Sequence, residues 1–173
     1  MLDHALLMTR YGELDQLLRA FADDKLNLLI VVGRGGVQKS TLVRQALGTR
    51  ACWIENNATA YGLYGELFRH RDAPVVIDDV DNLYADRGCV RLLKCLCQSE
   101  PRKRLAWHSQ STALAGQGIP RQFETRSRVL ILANDWKTLN ANVAAVEDRG
   151  HLVRFEPSAA EVHRRVAGWF WDQ

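Results

Sequence analysis

The chain has 173 residues, of which 47% are hydrophobic and 25% are charged, and its formal net charge is +3 at pH 7. This length and apolar fraction predict a single globular domain, residues 1–173, with an ample core. The small net charge excludes a protein that binds nucleic acid through its overall charge alone, so such a function would require local clusters of basic residues.

Neither the cysteines nor the apolar segments indicate a secreted or membrane protein. Cys52, Cys89, Cys95 and Cys97 lack paired C-x-x-C spacing, so we interpret them as reduced thiols and not as metal ligands. The N-terminus has acidic and polar residues in place of a signal sequence, and no apolar run reaches membrane-spanning length. We therefore expect a soluble, cytoplasmic protein without membrane contact.

An amphipathic helix and a buried strand are the first predicted elements. Apolar residues recur at helical spacing from Tyr11 to Ala22, which predicts a short helix that packs on the core. The unbroken apolar run from Leu28 to Val32 is typical of a central parallel strand that is covered on both faces.

The segment after this strand matches a phosphate-binding loop at all but one position. The stretch LLIVVGRGGVQKST fits the pattern G-x-x-x-x-G-K-[ST] from Gly33 to Ser40. In this pattern, backbone N–H groups and a helix N-terminus surround the phosphates of a nucleotide such as ATP. Lys39 would reach the β- and γ-phosphates, and the Ser40 hydroxyl would bind Mg²⁺. The predicted nucleotide contacts are Gly33, Arg34, Gly35, Gly36, Val37, Gln38, Lys39, Ser40 and Thr41.

Gln38 is the position that departs from the pattern, because a glycine is expected there. A side chain at a position that favours positive φ costs on the order of 1–2 kcal/mol and can crowd the phosphates. Two interpretations stay open: a tolerated variation of the loop, or a lesion that weakens nucleotide binding.

A second strand, a helix and a third strand follow. Ala51 to Glu55 reads as a short strand, and the helix over about 59–70 buries an aromatic stripe, although a stacking face for a base is an alternative. Pro74 to Asp81, PVVIDDVD, predicts a strand that delivers two carboxylates to one edge of the sheet. Asp78 would hold Mg²⁺, and Asp79 would be the general base that activates water. A solvated acidic turn is the plain alternative.

A basic segment follows a predicted helix from Asn82 to Gln98. Between positions 100 and 128 the chain carries an excess of four positive charges, with a short strand predicted over 105–109 and a glycine loop over 115–120. Such a segment beside a nucleotide site suggests contact with DNA phosphates, and a solvated surface is an equal alternative. The candidate nucleic-acid residues are Arg102, Lys103 and Arg104.

The last part of the chain supplies a polar residue at the end of another apolar strand. Arg128 to Asn134 predicts this strand, and the Asn134 amide would orient the attacking water and contact the γ-phosphate. A connecting helix is predicted from Asp135 to Val146. A final strand, His151 to Phe155, then leads to a helix capped at Ser158.

Taken in this order, the motifs resemble the nucleotide-binding core of an AAA+ ATPase over nearly the whole chain. The first family motif corresponds to Gly33 to Thr41, the second to Val75 to Asp79, and the sensor asparagine to Asn134. The arginine finger, which reaches the γ-phosphate of a neighbouring subunit, corresponds best to Arg149. The resemblance implies ATP and Mg²⁺ as ligands and a homo-oligomer. It also implies the α/β fold of P-loop NTPases, an αβα three-layer sandwich with parallel strand order 5-1-4-3-2.

Two details refine this resemblance. The family continues into a helical lid with a second sensor arginine, and this sequence ends at Gln173 where the lid would start, so we expect no lid in this chain. The spacing from Gly118 through Phe123 to Trp136 also resembles ATPases of phage and mobile-element replication modules.

The leading hypothesis is Mg-dependent ATP hydrolysis that drives DNA-related remodelling, as a helicase, a helicase loader or a replication accessory protein. The competing hypothesis is a scaffold module whose phosphate loop is weakened by Gln38. A small-molecule kinase is disfavoured because no arginine-rich lid follows the third helix and because paired acids suit the activation of water.

Overall fold

A parallel sheet of six strands forms the centre of the fold. The computed structural model describes residues 4–56, 58–80, 82–108, 113–135, 146 and 148–171. Within these ranges the sheet contains β1 (Leu6–Met8), β2 (Leu28–Val32), β3 (Cys52–Glu55), β4 (Val75–Asp78), β7 (Val129–Ala133) and β8 (His151–Phe155). An antiparallel hairpin consists of β5 (Lys103–Ala106) and β6 (Gln122–Thr125).

The order of the strands in the sheet is β1-β8-β2-β7-β4-β3, and all neighbours are parallel. The strand predicted over 105–109 is instead β5, which starts at Lys103 and lies outside this sheet. The other five predicted strands lie in the order 5-1-4-3-2 that the resemblance implies, which confirms the fold class. Strand β1 adds a sixth member at the edge beside β8. The sequence pattern misses it because it has three residues, and Leu6 and Leu7 are both about half exposed.

Helices cover both faces of the sheet, and side-chain alternation in β2 explains the resulting layers. Leu29 and Val31 pack in a cluster with α1 (Tyr11–Ala22) and α2 (Lys39–Leu47), whereas Leu28 and Ile30 pack in a second cluster with α3 (Ala60–Arg69) and α5 (Arg87–Leu96). Because β2 is buried on both faces, it needs an unbroken apolar run. The helices are α1 (Tyr11–Ala22), α2 (Lys39–Leu47), α3 (Ala60–Arg69), α4 (Asn82–Ala85), α5 (Arg87–Leu96), α6 (Ala113–Gly116) and α7 (Ala159–Trp171), with a 3₁₀ turn at Gly48–Arg50.

Among the described residues, none of these helices has both the length and the apolar character that are required to cross a bilayer.

One predicted helix is divided in the structure, and another lies outside the described residues. The helix predicted from Asn82 to Gln98 is two helices, α4 and α5, separated at Asp86. The Asp86 carboxylate accepts a hydrogen bond of 2.7 Å from the Cys89 N–H and caps α5, which lowers the pKa of Asp86. The connecting helix predicted over 135–146 falls almost entirely outside the described residues.

The hairpin corrects one candidate nucleic-acid residue. Lys103 opens β5 and its side chain is buried, with 1% exposure. Its ammonium donates hydrogen bonds to Asn27 Oδ1 and to the Ser127 carbonyl, both at 2.5 Å. Because these groups lie just before β2 and β7, Lys103 anchors the hairpin to the sheet and is not available to DNA.

We expect Lys103→Met to change the pH dependence of stability. Burial lowers the pKa of Lys103 to about 8, whereas an unfolded lysine keeps its proton up to a pH of about 10.4. Between these pH values the unfolded wild type binds more protons than the folded form, so its free energy of unfolding rises with pH. Over this pH range the free energy of unfolding of the wild type should rise by about 1–3 kcal/mol relative to that of the variant.

Urea denaturation of both proteins at pH values from about 7.5 to 10.5 measures this difference in the free energy of unfolding. Groups that titrate equally in both proteins do not contribute to the difference. Lys25→Met is the matched control, because the Lys25 side chain is 69% exposed. A wild-type-minus-variant difference that stays constant with pH would contradict the burial of a titrating ammonium.

Candidate functional site

The carboxyl ends of β2, β4 and β7 meet at one edge of the sheet, and each is followed by a candidate site residue. In the pairing register, Val32 lies beside Ala133 and Asp78 lies beside Leu132. The loop that starts at Gly33 therefore lies next to the ends of the other two strands. A cavity of about 410 Å³ opens there, lined by Gly35, Gly36, Gln38, Lys39, Ser40, Thr41, Asp78, Asp79, Leu132, Ala133 and Asn134.

Glycine is required at the start of the loop for steric reasons. The Gly33 N–H donates to the Ala133 carbonyl at 3.1 Å, and a Cβ on Gly33 would lie 2.4 Å from the Phe155 carbonyl oxygen. This contact is with backbone, so it cannot be relieved by a side-chain rotation. Gly36 has φ +80°, which only glycine adopts without strain. The loop thus depends on glycine at both positions.

Gln38 keeps the backbone conformation for which a glycine is expected. Its φ and ψ are 61° and 26°, in the left-handed region, and its carbonyl accepts the Leu42 N–H of α2 at 3.0 Å. The loop therefore enters the helix with its left-handed turn intact. The substituted side chain lines the cavity and is the part that a bound phosphate would meet.

The ammonium of Lys39 is bound within the loop. It donates to the carbonyls of Gly33 at 2.6 Å and Arg34 at 3.0 Å, and to Asn134 Oδ1 at 3.1 Å. Burial lowers the pKa of Lys39, and the negative charges of Asp78 and Asp79 oppose that shift. These hydrogen bonds satisfy all three donors of the ammonium. A phosphate would have to replace at least one of the three acceptors.

A chain of hydrogen bonds links the lysine to the second acid. Asn134 accepts from Lys39 through Oδ1 and donates through Nδ2 to Asp79 Oδ2 at 2.8 Å. Asp79 is exposed and has φ 54°, a left-handed conformation that costs of order 1–3 kcal/mol outside glycine. Asp78, which ends β4, is half-buried. The structure thus brings Lys39, Asp79 and Asn134 together as the sequence predicts.

The oxygen atoms at this edge suit a hard divalent cation. The Ser40 hydroxyl and the Asp78 carboxylate line the same cavity as Lys39. Mg²⁺ prefers such oxygen ligands and normally keeps several waters, so a hydroxyl and a carboxylate are a sufficient protein contribution.

A second cavity, which the sequence did not indicate, lies beside the first. It has a volume of about 610 Å³ and shares Gln38 and Thr41 with the first cavity. Its other lining residues come from α1, α2 and α7: Tyr11, Gln45, Glu161, Arg164, Arg165 and Gly168. The Arg165 guanidinium lies 5.6 Å from the Tyr11 ring centroid and donates to Gln45 Oε1 at 3.1 Å. No local motif marks this site, since it is formed by three separate helices.

The remaining candidates do not join this site. Arg149 precedes β8, and its Nη1 donates to the Lys94 carbonyl at 2.8 Å. It therefore lies at the amino-terminal edge of the sheet, opposite the cavity. Arg102 and Arg104 are exposed on the hairpin, where Arg102 lies 4.0 Å from Glu124 and Arg104 donates to Gln122.

Comparisons with known proteins support the fold. The chain is similar to NtrX from Brucella abortus, solved in complex with ATP, with a TM-score of 0.52 and 12% identity over 91% of this chain and 39% of that chain. It is 23% identical over 134 residues to an uncharacterized 36.7 kDa protein of the nrdC-mobD intergenic region of Enterobacteria phage T4. That match covers 72% of this chain and 41% of the phage protein. No family model matches.

The chain thus spans about two fifths of the length of each of these proteins. The sheet order, the glycine loop and the likeness to the ATP-bound NtrX structure together show a fold similar to that of P-loop NTPases.

Substitutions at Gln38 separate backbone strain from crowding by the side chain. Gln38→Gly removes a left-handed strain of about 1–2 kcal/mol, and the greater conformational entropy of glycine stabilises the unfolded state by about 0.4–1 kcal/mol. The net effect should be a stabilisation of roughly 0–1.6 kcal/mol. Gln38→Ala keeps the strain and should leave the stability near that of the wild type. If the side chain crowds the phosphates, both variants should bind ATP more tightly, and to a similar extent.

Chemical denaturation and calorimetry with ATP and Mg²⁺ measure the two effects. Equal stabilisation by glycine and alanine would show that φ at position 38 is not strained in solution.

Proposed function

We propose that this chain binds ATP with Mg²⁺ and hydrolyses it as an AAA+-type module. The observation that carries the proposal is the hydrogen-bonded chain from Lys39 through Asn134 to Asp79, at the mouth of a glycine loop. These hydrogen bonds connect the ammonium of Lys39, which would bind phosphate, to the carboxylate of Asp79, which can accept a proton. The likeness to an ATP-bound NtrX structure supports the choice of nucleotide.

Binding of the triphosphate uses the loop and the beginning of α2. The backbone N–H groups of the loop and the helix N-terminus attract phosphate oxygens. Lys39 gives up its contacts with the Gly33 and Arg34 carbonyls and moves to the β- and γ-phosphates. A bound Mg²⁺, held by Ser40 and Asp78, would neutralise the phosphate charge. The adenine of the nucleotide would occupy the second cavity, which adjoins the phosphate loop at Gln38 and Thr41.

Hydrolysis then requires a water molecule in line with the γ-phosphate. Asn134 lies between Lys39 and Asp79 and would orient this water while it contacts the γ-phosphate. Asp79 accepts the proton of the water as its oxygen attacks phosphorus, and the bond to the ADP oxygen breaks. The exposed position of Asp79 leaves room for the water beside its carboxylate.

The position of Arg149 supports completion of the site by a second subunit. Since Arg149 lies at the sheet edge opposite its own cavity, it could reach only the γ-phosphate of a neighbouring copy. The hydrogen bond to the Lys94 carbonyl holds its side chain at the C-terminal end of α5. We therefore place Arg149 as a finger acting in trans in a homo-oligomer.

A DNA-related role rests on the exposed basic residues of the hairpin. With Lys103 buried, Arg102 and Arg104 are the two residues of the initial candidates that can meet phosphates. Their partners Glu124 and Gln122 are themselves exposed, so these contacts exchange readily with a phosphate.

We expect Asp79→Asn to reduce ATP turnover by about 10²-fold or more while ATP binding remains. Asparagine tolerates the left-handed backbone and can still accept from Asn134, so the change removes mainly the basic carboxylate. Phosphate release measures turnover, and calorimetry measures binding. Asp23→Asn, an exposed position at the end of α1, is the matched control.

Assays with and without DNA test the remodelling role, since Arg102 and Arg104 should be needed for any stimulation by DNA. Failure of both the wild type and Gln38→Gly to bind ATP would favour the alternative, an assembly module whose Lys39 stays bound within its own loop.

Arg149→Ala should reduce turnover by roughly 10³-fold with little loss of ATP affinity, because a finger in trans stabilises charge that develops only in the transition state. Mixing Arg149→Ala with Asp79→Asn should restore part of the activity, since each variant supplies the group that the other lacks. Arg91→Ala, a second exposed arginine, is the control. The experiment requires the assembled protein. Wild-type turnover by assembled Arg149→Ala would reject the assignment.

A further inference from the structure

We propose that Cys52, Glu66 and His70 form a structural binding site for Zn²⁺ between β3 and α3. The Cys52 thiol sulfur, a carboxylate oxygen of Glu66 and a ring nitrogen of His70 all lie within 4.8 Å of one another. The spacing of the cysteines predicts no metal ligand at Cys52, and the proposal departs from that prediction because the fold brings Glu66 and His70 to the thiol. These residues play no part in the proposed nucleotide chemistry, and the site is independent of it.

The fold brings the three side chains together from two elements. Cys52 opens β3, the strand at the outer edge of the sheet. Glu66 and His70 are four residues apart along α3 and its C-terminal end, so they share one face of the helix. The helix packs over β3, and this places that face above the thiol.

The carboxylate of Glu66 is already oriented. One of its oxygens, Oε1, accepts from Arg69 Nη1 at 2.8 Å, whereas Oε2 lies 3.4 Å from His70 Nδ1. The arginine therefore fixes the carboxylate and leaves Oε2 on the side of the imidazole. A partner that orients a metal-binding carboxylate in this way is common in metal sites.

The ligand set selects a metal of intermediate softness. A thiolate, a neutral imidazole and a carboxylate carry two negative charges, which neutralise a divalent cation. Zn²⁺ takes this combination of sulfur, nitrogen and oxygen in tetrahedral geometry, whereas Mg²⁺ and Ca²⁺ prefer oxygen alone. His70 is exposed, so a water can complete the fourth position.

Metal binding requires two local changes. Burial, with the charge of Glu66 as a smaller cause, raises the pKa of the Cys52 thiol to about 11, so the metal must displace the thiol proton. Bonds of about 2.0–2.3 Å also require the ligand atoms to approach one another to roughly 3.3–3.8 Å. The exposed His70 ring at the end of α3 can supply most of this movement by rotation.

The site lies where a metal would strengthen the structure without entering the chemistry. Cys52 is at the amino-terminal end of its strand, and the nucleotide cavity is at the carboxyl ends of the sheet. A bound ion would connect α3 to β3, which pairs with β4 alone among the strands that the structure describes. We therefore assign it a stabilising role and no role in catalysis.

Metal titration of the purified, reduced and tag-free protein tests the proposal. Co²⁺ as a spectroscopic probe should give a thiolate charge-transfer band and tetrahedral ligand-field bands, and Zn²⁺ should displace it. Zn²⁺ should also raise the thermal midpoint of the wild type. Each of Cys52→Ser and His70→Gln should weaken Zn²⁺ binding at least tenfold, measured by competition with a chelating dye.

The controls are Cys95→Ser and His151→Gln, which alter a thiol and an exposed imidazole elsewhere and should bind as the wild type does. His70→Gln changes an exposed side chain, so it keeps the test valid if the buried Cys52→Ser protein fails to fold. The proposal would be overturned if His70→Gln kept the cobalt–thiolate band with wild-type affinity for Co²⁺. It would also be overturned if the wild type bound no stoichiometric Zn²⁺ or Co²⁺.

Discussion

The pairing of β2, β4 and β7 as parallel neighbours is the constraint on which the candidate site depends. Parallel strands end at the same edge, so a loop, a pair of acids and an amide that are far apart in sequence become neighbours. Backbone hydrogen bonds pair β2 with β7 and β8, and β2 can lie at the centre of the sheet because its side chains are all apolar and buried on both faces. Stability of the sheet and assembly of the site therefore have the same physical origin.

Two of the non-glycine residues with a left-handed backbone lie where ligands would bind. Gln38 and Asp79 both have left-handed backbones, and both line the cavity. The conformation at Gln38 costs on the order of 1–2 kcal/mol, and contacts in the surrounding strands and α2 must offset that free energy. At Asp79 the turn aims a carboxylate at Asn134. At Gln38 the left-handed backbone preserves the conformation of the loop, although the glutamine side chain takes the place of the hydrogen atom that a glycine would have.

The basic segment shows why a charge cluster is a weak guide to function. Arg102, Lys103 and Arg104 are consecutive, yet the alternation of β5 turns Lys103 into the protein and leaves Arg104 in solvent. Two carbonyl acceptors make burial of the ammonium tolerable, and they come from segments some 76 and 24 residues distant in sequence. Because side chains alternate along a strand, Lys103 anchors the hairpin while Arg104 stays exposed to solvent.

The sequence by itself determined the five main strands, the glycine loop, the paired acids and Asn134, because apolar runs and local motifs depend on neighbouring residues. The order of the strands came from the resemblance to AAA+ ATPases. Only the tertiary structure decided which groups converge from distant segments. It added β1 and β6, buried Lys103, set Arg149 at the far edge, and brought Cys52 to α3. Short edge strands and convergent side chains carry no local periodicity, since contacts between separate elements fix them.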